Sequence, residues 1–349
     1  MALIKKIQES ESNMNVKRLK KMAVGVVTAA LAVGMMTGCG STSTTDDTDQ
    51  VTVGVIQYAT HPSLDNCYDG FIEGLKESGY EEGVNLTIDF QNAQADSGNA
   101  DLAAKNMVAK KENLLVGIAT PAAMSQYAAA KDTDIPVVFT AVSDPVAAGI
   151  VDSIENPGQN CTGSSDVLPL EKQVEMIQAF LPNAQKIGII YTTSEPNSIS
   201  QLATIKEIAA TKDLEIVEVG VTNASEVSAA TQTLISKGVD CINNFTDNNV
   251  VENLSTVLKA ANDANIPVFG SEEEQVKSGC LASQSIDYVA LGKETGKMAG
   301  KILNGEATAS DLPVYQAEDC SPVYNQTVMD TLGLTLPADY QDATAVSEN

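Results

Sequence analysis

One histidine, one arginine and no tryptophan occur in 349 residues, and aromatic side chains make up only 4% of the chain. With His61 alone, neither a two-histidine metal site nor a histidine dyad for proton transfer can be built. The single arginine, Arg18, falls in the N-terminal leader described below. Beyond it no guanidinium exists, so an anionic ligand must be held by backbone N–H, hydroxyl or lysine groups. Sugar sites usually stack rings on tryptophan, which this chain lacks. The six cysteines show no CxxC spacing, which argues against a zinc site. No GxSxG elbow, GxxxxGK[ST] loop or GxGxxG after a strand is present. An enzyme would have to work through a Ser/Lys pair or two carboxylates, a rival that residue types alone leave standing.

Positive charge is also scarce, with 21 basic residues against 46 acidic ones. Residues 1–38 hold six of the former and two of the latter, so the rest of the chain carries 15 against 44, a net of −29. Such a field repels nucleic acid.

What is present begins with an address label. Met14 opens MNVKRLKKM, and residues 23–36 form an apolar run of secretory length, short of the about 20 residues a spanning helix needs. The run ends in Met36-Thr37-Gly38-Cys39, which resembles a bacterial lipobox with Cys39 as the acylated new N-terminus. Gly40 to Gln50 is a polar tether, and Met1 to Asn13 an upstream extension without fold. The expected product is extracytoplasmic and lipid-anchored, touching the membrane only through that lipid. Its five other cysteines allow at most two bridges, with Cys280 and Cys320 one candidate pair.

From Val51 strands and helices alternate: VTVGVI (51–56), a helical stripe over 66–78, LTIDFQ (86–91), a helix over 99–111, LLVGIAT (114–120), a helix from Pro121, and IPVVFTAV (135–142). The series restarts with a helix over 170–180 and KIGIIYTT (186–193), and continues through EIVEVGV (215–221), CINNFT (241–246), IPVFG (266–270) and GCLASQSI (279–286). Two such series predict an α/β protein of two similar lobes with parallel sheets. The expected division is leader 1–38, tether 39–50, a first lobe of 51–161 plus 283–311, and a second of 162–282 plus 312–340.

Polar residues recur where strands end. Thr120, Ser143-Asp144, Thr193 to Ser198, Thr246-Asp247-Asn248 and Ser271-Glu272 each follow an apolar run. Each could simply cap a helix, yet strand ends of two facing sheets are also where ligands bind. Helix N-termini and hydroxyls suit a carboxylate, while acids such as Asp144, Asp247 and Asp287 suit an ammonium. Together they describe a zwitterion, an amino acid.

The segments GVIQYATHPSLDNCYDGFIEGLKESGY, GIATPAA, AVSDPVAAG, GSSD, YTTSEPNS, TDNN and GCLAS…IDYVALG, with the ending LGLTLP, resemble the substrate-binding lipoproteins of ABC importers. The likeness is to the branch associated with tryptophan, tyrosine or phenylalanine. It implies the type I periplasmic-binding fold, two Rossmann-like lobes joined by a three-segment hinge, and no catalysis or cofactor. It also implies a monomer serving a permease and its ATPase. Carried onto this chain, the ligand site would comprise Gln57, His61, Thr120, Ser143, Asp144, Ser164, Asp166, Glu195, Asn197, Ser198, Asp247, Asn248 and Asp287. Thr120, Ser143 and Ser164 would meet the carboxylate, and Asp247 or Asp287 the ammonium. His61 either orders its turn or lines the pocket. An aromatic ligand ring would find Tyr58, Tyr191, Phe245 or Tyr288. A sensory module of the same fold, or a binder of a sugar or nucleoside, is the alternative.

Overall fold

The computed structural model describes residues 50–317 and 320–346. The expected leader, Cys39 and the tether up to residue 49 lie outside these. Runs rich in Val and Ile form strands and the amphipathic runs between them helices. The first series comprises β1 (Val51–Gln57), α1 (Pro62–Glu77), β2 (Leu86–Asn92), α2 (Ser97–Lys110), β3 (Leu114–Ile118), α3 (Thr120–Ala130), β4 (Val137–Thr140) and β5 (Cys161–Ser165). The second comprises α4 (Leu170–Phe180), β6 (Lys186–Thr192), α5 (Pro196–Thr211), β7 (Glu215–Val221), α6 (Val227–Ser236) and β8 (Cys241–Asn243). It continues with α7 (Asn248–Glu252), α8 (Leu254–Asp263), β9 (Val268–Phe269), α9 (Glu273–Lys277) and β10 (Ala282–Ser285). Then follow α10 (Tyr288–Leu303), β11 (Tyr315–Gln316), β12 (Ser321–Asn325), α11 (Gln326–Thr331) and β13 (Thr344–Val346).

The strands assemble into two large sheets, ordered β2-β1-β3-β4-β5-β11 and β7-β6-β8-β9, with every neighbouring pair parallel. A small sheet β10-β12-β13 flanks the second, with β10 antiparallel to β12. Phe71 and Phe139 fill the core of the first lobe, Phe245 and Phe269 that of the second. In both large sheets the first strand lies between the second and third. Strand order therefore reverses between β1 and β3, and between β6 and β8, and such switch points open crevices at the carboxyl ends of the strands.

The chain passes between the sheets three times, after β5, after β10 and after β11. These crossings differ from the expected boundaries. Cys161–Ser165 pairs with β4, and Tyr315–Gln316 pairs with β5, so residues 162–165 and 315–316 join the first sheet rather than the second lobe. The run CTGSS gives no apolar signal, although all five residues are buried between neighbours.

α10 returns from the second lobe and packs backbone to backbone on α1. A Cβ added to Gly292 would lie 2.0 Å from the Cys67 carbonyl oxygen, and one added to Gly74 2.1 Å from that of Lys293. Only glycine permits this approach. It fixes Tyr288, the first residue of α10, at the mouth of the first lobe. All five cysteines among the described residues are free. The Cys280–Cys320 bridge is not formed: Cys280 is fully buried in the core and Cys320 half-open. Among the described residues no helix is long and apolar enough to cross a membrane.

Candidate functional site

A cavity lies between the strand ends of the two lobes. His61 follows β1, Thr120 β3, Ser143 β4 and Asp166 β5, while Asn197 follows β6, Thr246 and Asn248 β8, Glu272 β9 and Tyr288 β10. Ser63, Leu64, Ala119, Ala141, Val251 and Gln275 complete the wall. No lysine lines it.

The two lobes contribute different groups, although the first also supplies the acid Asp166. On the first, α1 and α3 begin at the cavity with prolines in their first turns, and their preceding residues, His61 and Ala119, make no side-chain capping bond. The first-turn amides of Ser63, Thr120 and Ala122 have no intrahelical acceptor, so this face presents donors and the positive ends of two helix dipoles. Ala119 at φ 77° and Ala141 at φ 56° hold left-handed backbone beside the cavity, strain of about 1–3 kcal/mol each that the surrounding strands sustain. On the second lobe, α5, α7 and α9 are each preceded by an acid: Glu195, Asp247 and Glu272.

Neutral acceptors reinforce that asymmetry. The Asn197 Nδ2 group donates to Glu195 Oε2 and to the Thr246 carbonyl, at 3.2 and 3.1 Å. Gln275 Nε2 donates to the Phe245 carbonyl at 3.2 Å. With both NH2 groups engaged on acceptors, the amide orientations are fixed by the network. The buried oxygens left over, Asn197 Oδ1 and Gln275 Oε1, have no partner. A buried acceptor without a donor is costly, and two of them on one wall call for a ligand rich in N–H.

The acids are shifted accordingly. Burial pushes Glu272 up to about 7 against the opposing bonds from the Glu274 and Gln275 amides. Burial likewise raises Asp166, although Tyr288 Oη donates to it at 2.7 Å and Ser143 Oγ at 3.0 Å. His61 is pushed down to about 4 by burial, with Asn248 and Asp65 favouring its charged form less strongly, so it is neutral at pH 7. No cation within the wall balances these carboxylates.

The lobes also touch directly. Gln201 Nε2 donates to Ser143 Oγ at 2.9 Å and Thr246 Oγ1 at 2.8 Å. Ser200 Oγ donates to Asp144 Oδ2 at 2.6 Å, and Asn66 Nδ2 to Glu274 Oε1 at 3.4 Å.

Of the residues singled out in the sequence, His61, Thr120, Ser143, Asp166, Asn197 and Asn248 line the cavity. Of the two roles considered for it, His61 faces the cavity; it precedes α1, but its side chain makes no capping bond there. The others lie elsewhere for definite reasons. Ser164 is buried against Thr140 and Thr295, so it cannot meet a ligand carboxylate. Asp247 is saturated by Thr192 N, Thr192 Oγ1, Ser198 Oγ and Val250 N, at 2.6–3.0 Å, and has no capacity left for an ammonium. Ser198 is spent on that same carboxylate. Asp287 is exposed and caps α10 through Ala290 N. Gln57 donates to Asp65 and to the Ala59 carbonyl, and Asp144 bonds across the lip. Glu195 sits behind Asn197 and Asn248.

Among the four candidate rings only Tyr288 faces the cavity. Tyr58 is buried with its hydroxyl on the Ala95 carbonyl, Phe245 lies in the core and Tyr191 in β6. Glu272, named in the sequence only as part of a polar strand end, and Gln275 were absent from the expected ligand set. The strand before Glu272 is two residues long, and Gln275 projects from the five-residue α9, which gives no periodic signal.

Residues 52–345 match the family described as ABC transporter substrate binding protein. The chain is 39% identical over 324 residues to a "Tyrosine-binding protein" of Clostridioides difficile (strain R20291), covering 90% of this chain and 93% of that one. It is 36% identical to an ABC domain from Streptococcus pneumonia solved in complex with L-Trp, with a TM-score of 0.81 over 84% of this chain and all but 2% of the other. The ligand-free, open structure of a substrate binding protein with adhesive properties from Clostridium difficile is 38% identical. Its TM-score is lower, 0.65, over 86% of this chain and 100% of that one.

Proposed function

The chain belongs to the ABC transporter substrate binding protein family, and from that premise we propose that it captures an aromatic amino acid between its lobes and delivers it to a membrane permease. It is a binding protein and not an enzyme, and it works outside the cytoplasm. Family membership sets the task. The observation that carries the ligand class is the mixed chemistry of the cavity wall, with uncapped helix starts on the first lobe, unpaired acceptors and Glu272 on the second, and Asp166 at the end of β5 between them. A zwitterion satisfies both sets of groups at once: its carboxylate lies on the first-turn amides near Ser63 and Thr120, and its ammonium near Glu272, Asp166 and Asn197. Leu64, Val251, Ala119 and the Tyr288 ring supply an apolar wall for an aromatic side chain.

The arrangement corresponds to the closed state. The direct bonds from Ser200 to Asp144 and from Gln201 to Ser143 join opposite lobes, and at nearly equal identity the chain superposes better on the L-Trp complex than on the open, ligand-free structure. Ligand contacts on both lobes give the differential affinity that favours closure.

The test is thermal-shift and calorimetric screening of the twenty amino acids on protein unfolded and refolded to remove bound ligand. Tyrosine or tryptophan should raise the melting temperature most, by RT ln(1 + [L]/Kd) in stability, about 2.7 kcal/mol at a hundredfold excess over Kd. A response to sugars or nucleosides with none to amino acids would overturn the assignment. The protein is further proposed to act as a monomer, held at the membrane by lipid on Cys39 and served by a permease with its ATPase. Cys39→Ser should move it from the membrane fraction to the soluble one, and its retention there would remove the anchor.

A further inference from the structure

Behind the acceptor wall lies a carboxylate that the ligand does not reach. We propose that Glu195 is the positioning residue of this wall and that ligand binding expels the proton it carries. The inference rests on the zwitterionic reading above.

The geometry is specific. One oxygen of Glu195, Oε2, gathers Asn248 Nδ2 at 2.7 Å, Asn248 N at 3.2 Å and Asn197 Nδ2 at 3.2 Å. Both asparagines line the cavity, and it is this hold on its NH2 group that turns Asn197 Oδ1 towards the ligand. The other oxygen, Oε1, is buried with no partner. A carboxylate with three donors on one oxygen and none on the other, 1% exposed, is suited to carry a proton on the empty side.

The groups around Glu195 oppose one another: burial and the Asp247 charge raise it, while the bonds from Asn248 and Asn197 lower it less strongly. Burial pushes Asp247, which precedes α7, upward as well, against its four donors, and the negative charge of Asp247 raises Glu195 further. Tyr58 at the end of β1 faces both acids with a neutral phenol. His61, beside Asn248, is neutral at pH 7. No lysine lines the cavity. Burial first and Asp247 second push Glu195 up to about 8, so the ligand-free protein holds this proton at neutral pH.

An ammonium brought against Asn197 Oδ1 favours the ionised form, because positive charge nearby lowers a carboxylate's pKa. The sign follows: the free protein binds more protons than the complex, so binding releases a proton and affinity rises with pH up to about 8. Glu272 contributes a similar response from within the wall, ending nearer 7.

The experiment is calorimetry with L-tryptophan from pH 6 to 8.5, in buffers of different ionisation enthalpy, on the wild type and on Glu195→Gln. Glutamine mimics the protonated side chain. The wild type should bind about three- to tenfold more tightly at pH 8 than at pH 6.5, with proton release at pH 7.5. E195Q should match the wild type at pH 6, and release at least about half a proton less at pH 7.5. A wild type that releases no proton overturns the proposal even if the variant fails to fold. So does an E195Q protein that keeps the full pH gain. If the wild type binds L-tryptophan and L-tyrosine at no pH, the zwitterionic reading fails and this one with it.

Discussion

Glu272→Gln should weaken aromatic amino-acid binding about thirtyfold or more while leaving the fold intact. Glu272 is 2% exposed, lines the cavity beside Gln275, and is a carboxylate on the second lobe with access to a ligand ammonium. Removing one member of a buried charge pair typically costs about 2–5 kcal/mol, most of it in the dissociation rate. Glutamine retains one oxygen, which can accept from one of the two amides of Glu274 and Gln275, so the start of α9 keeps part of its cap. The same substitution relieves the ligand-free protein of a desolvated carboxylate, and its melting temperature should hold or rise. Calorimetry on the variant checks the first part and thermal denaturation the second. Unchanged affinity would transfer the ammonium to Asp166, the other acid of the wall.

Gly292→Ala is the second, and acts on stability. The added methyl would meet the Cys67 carbonyl at 2.0 Å, and its obstacle is helix backbone that no rotamer change can remove. Overpacking of a rigid core usually costs about 1–3 kcal/mol, and the backbone contact places this site at or above the upper end. For a chain of this size that corresponds to a fall of roughly 5–10 °C in melting temperature. Because α10 carries Tyr288 into the cavity, the surviving folded protein should also bind ligand more weakly. A melting temperature within about 2 °C of wild type would mean that the two helices can part without loss.

The alternation of strands and helices was legible because each buried strand is a run of branched apolar residues and each helix has one apolar stripe. The strand ends were legible for the same reason: a polar residue directly after such a run stands out. Which of them face the cavity was not, since capping and binding use the same side chains. Asp247 and Glu272 both precede short helices on the second lobe, yet four donors close off the first while the second remains at the wall. Ser164 misled for a different reason. It lies within a strand whose small polar residues are buried, and its hydroxyl turns to Thr295 on the helix that packs over it. Ser63 and Gln275 became visible only once the starts of α1 and α9 were placed. The lobe boundaries depended on two further strands, CTGSS and the two-residue Tyr315–Gln316, whose pairing is backbone alone.

Four of the five described thiols are sealed in the cores, and the fifth, Cys320, sits half-open directly before β12, 3.3 Å from Lys172 Nζ. Among the described residues a maleimide dye therefore has one accessible target, on the third connection between the sheets. The molecule carries its own attachment point for fluorescence readout of opening and closing, and no engineered cysteine is needed to watch cargo come and go.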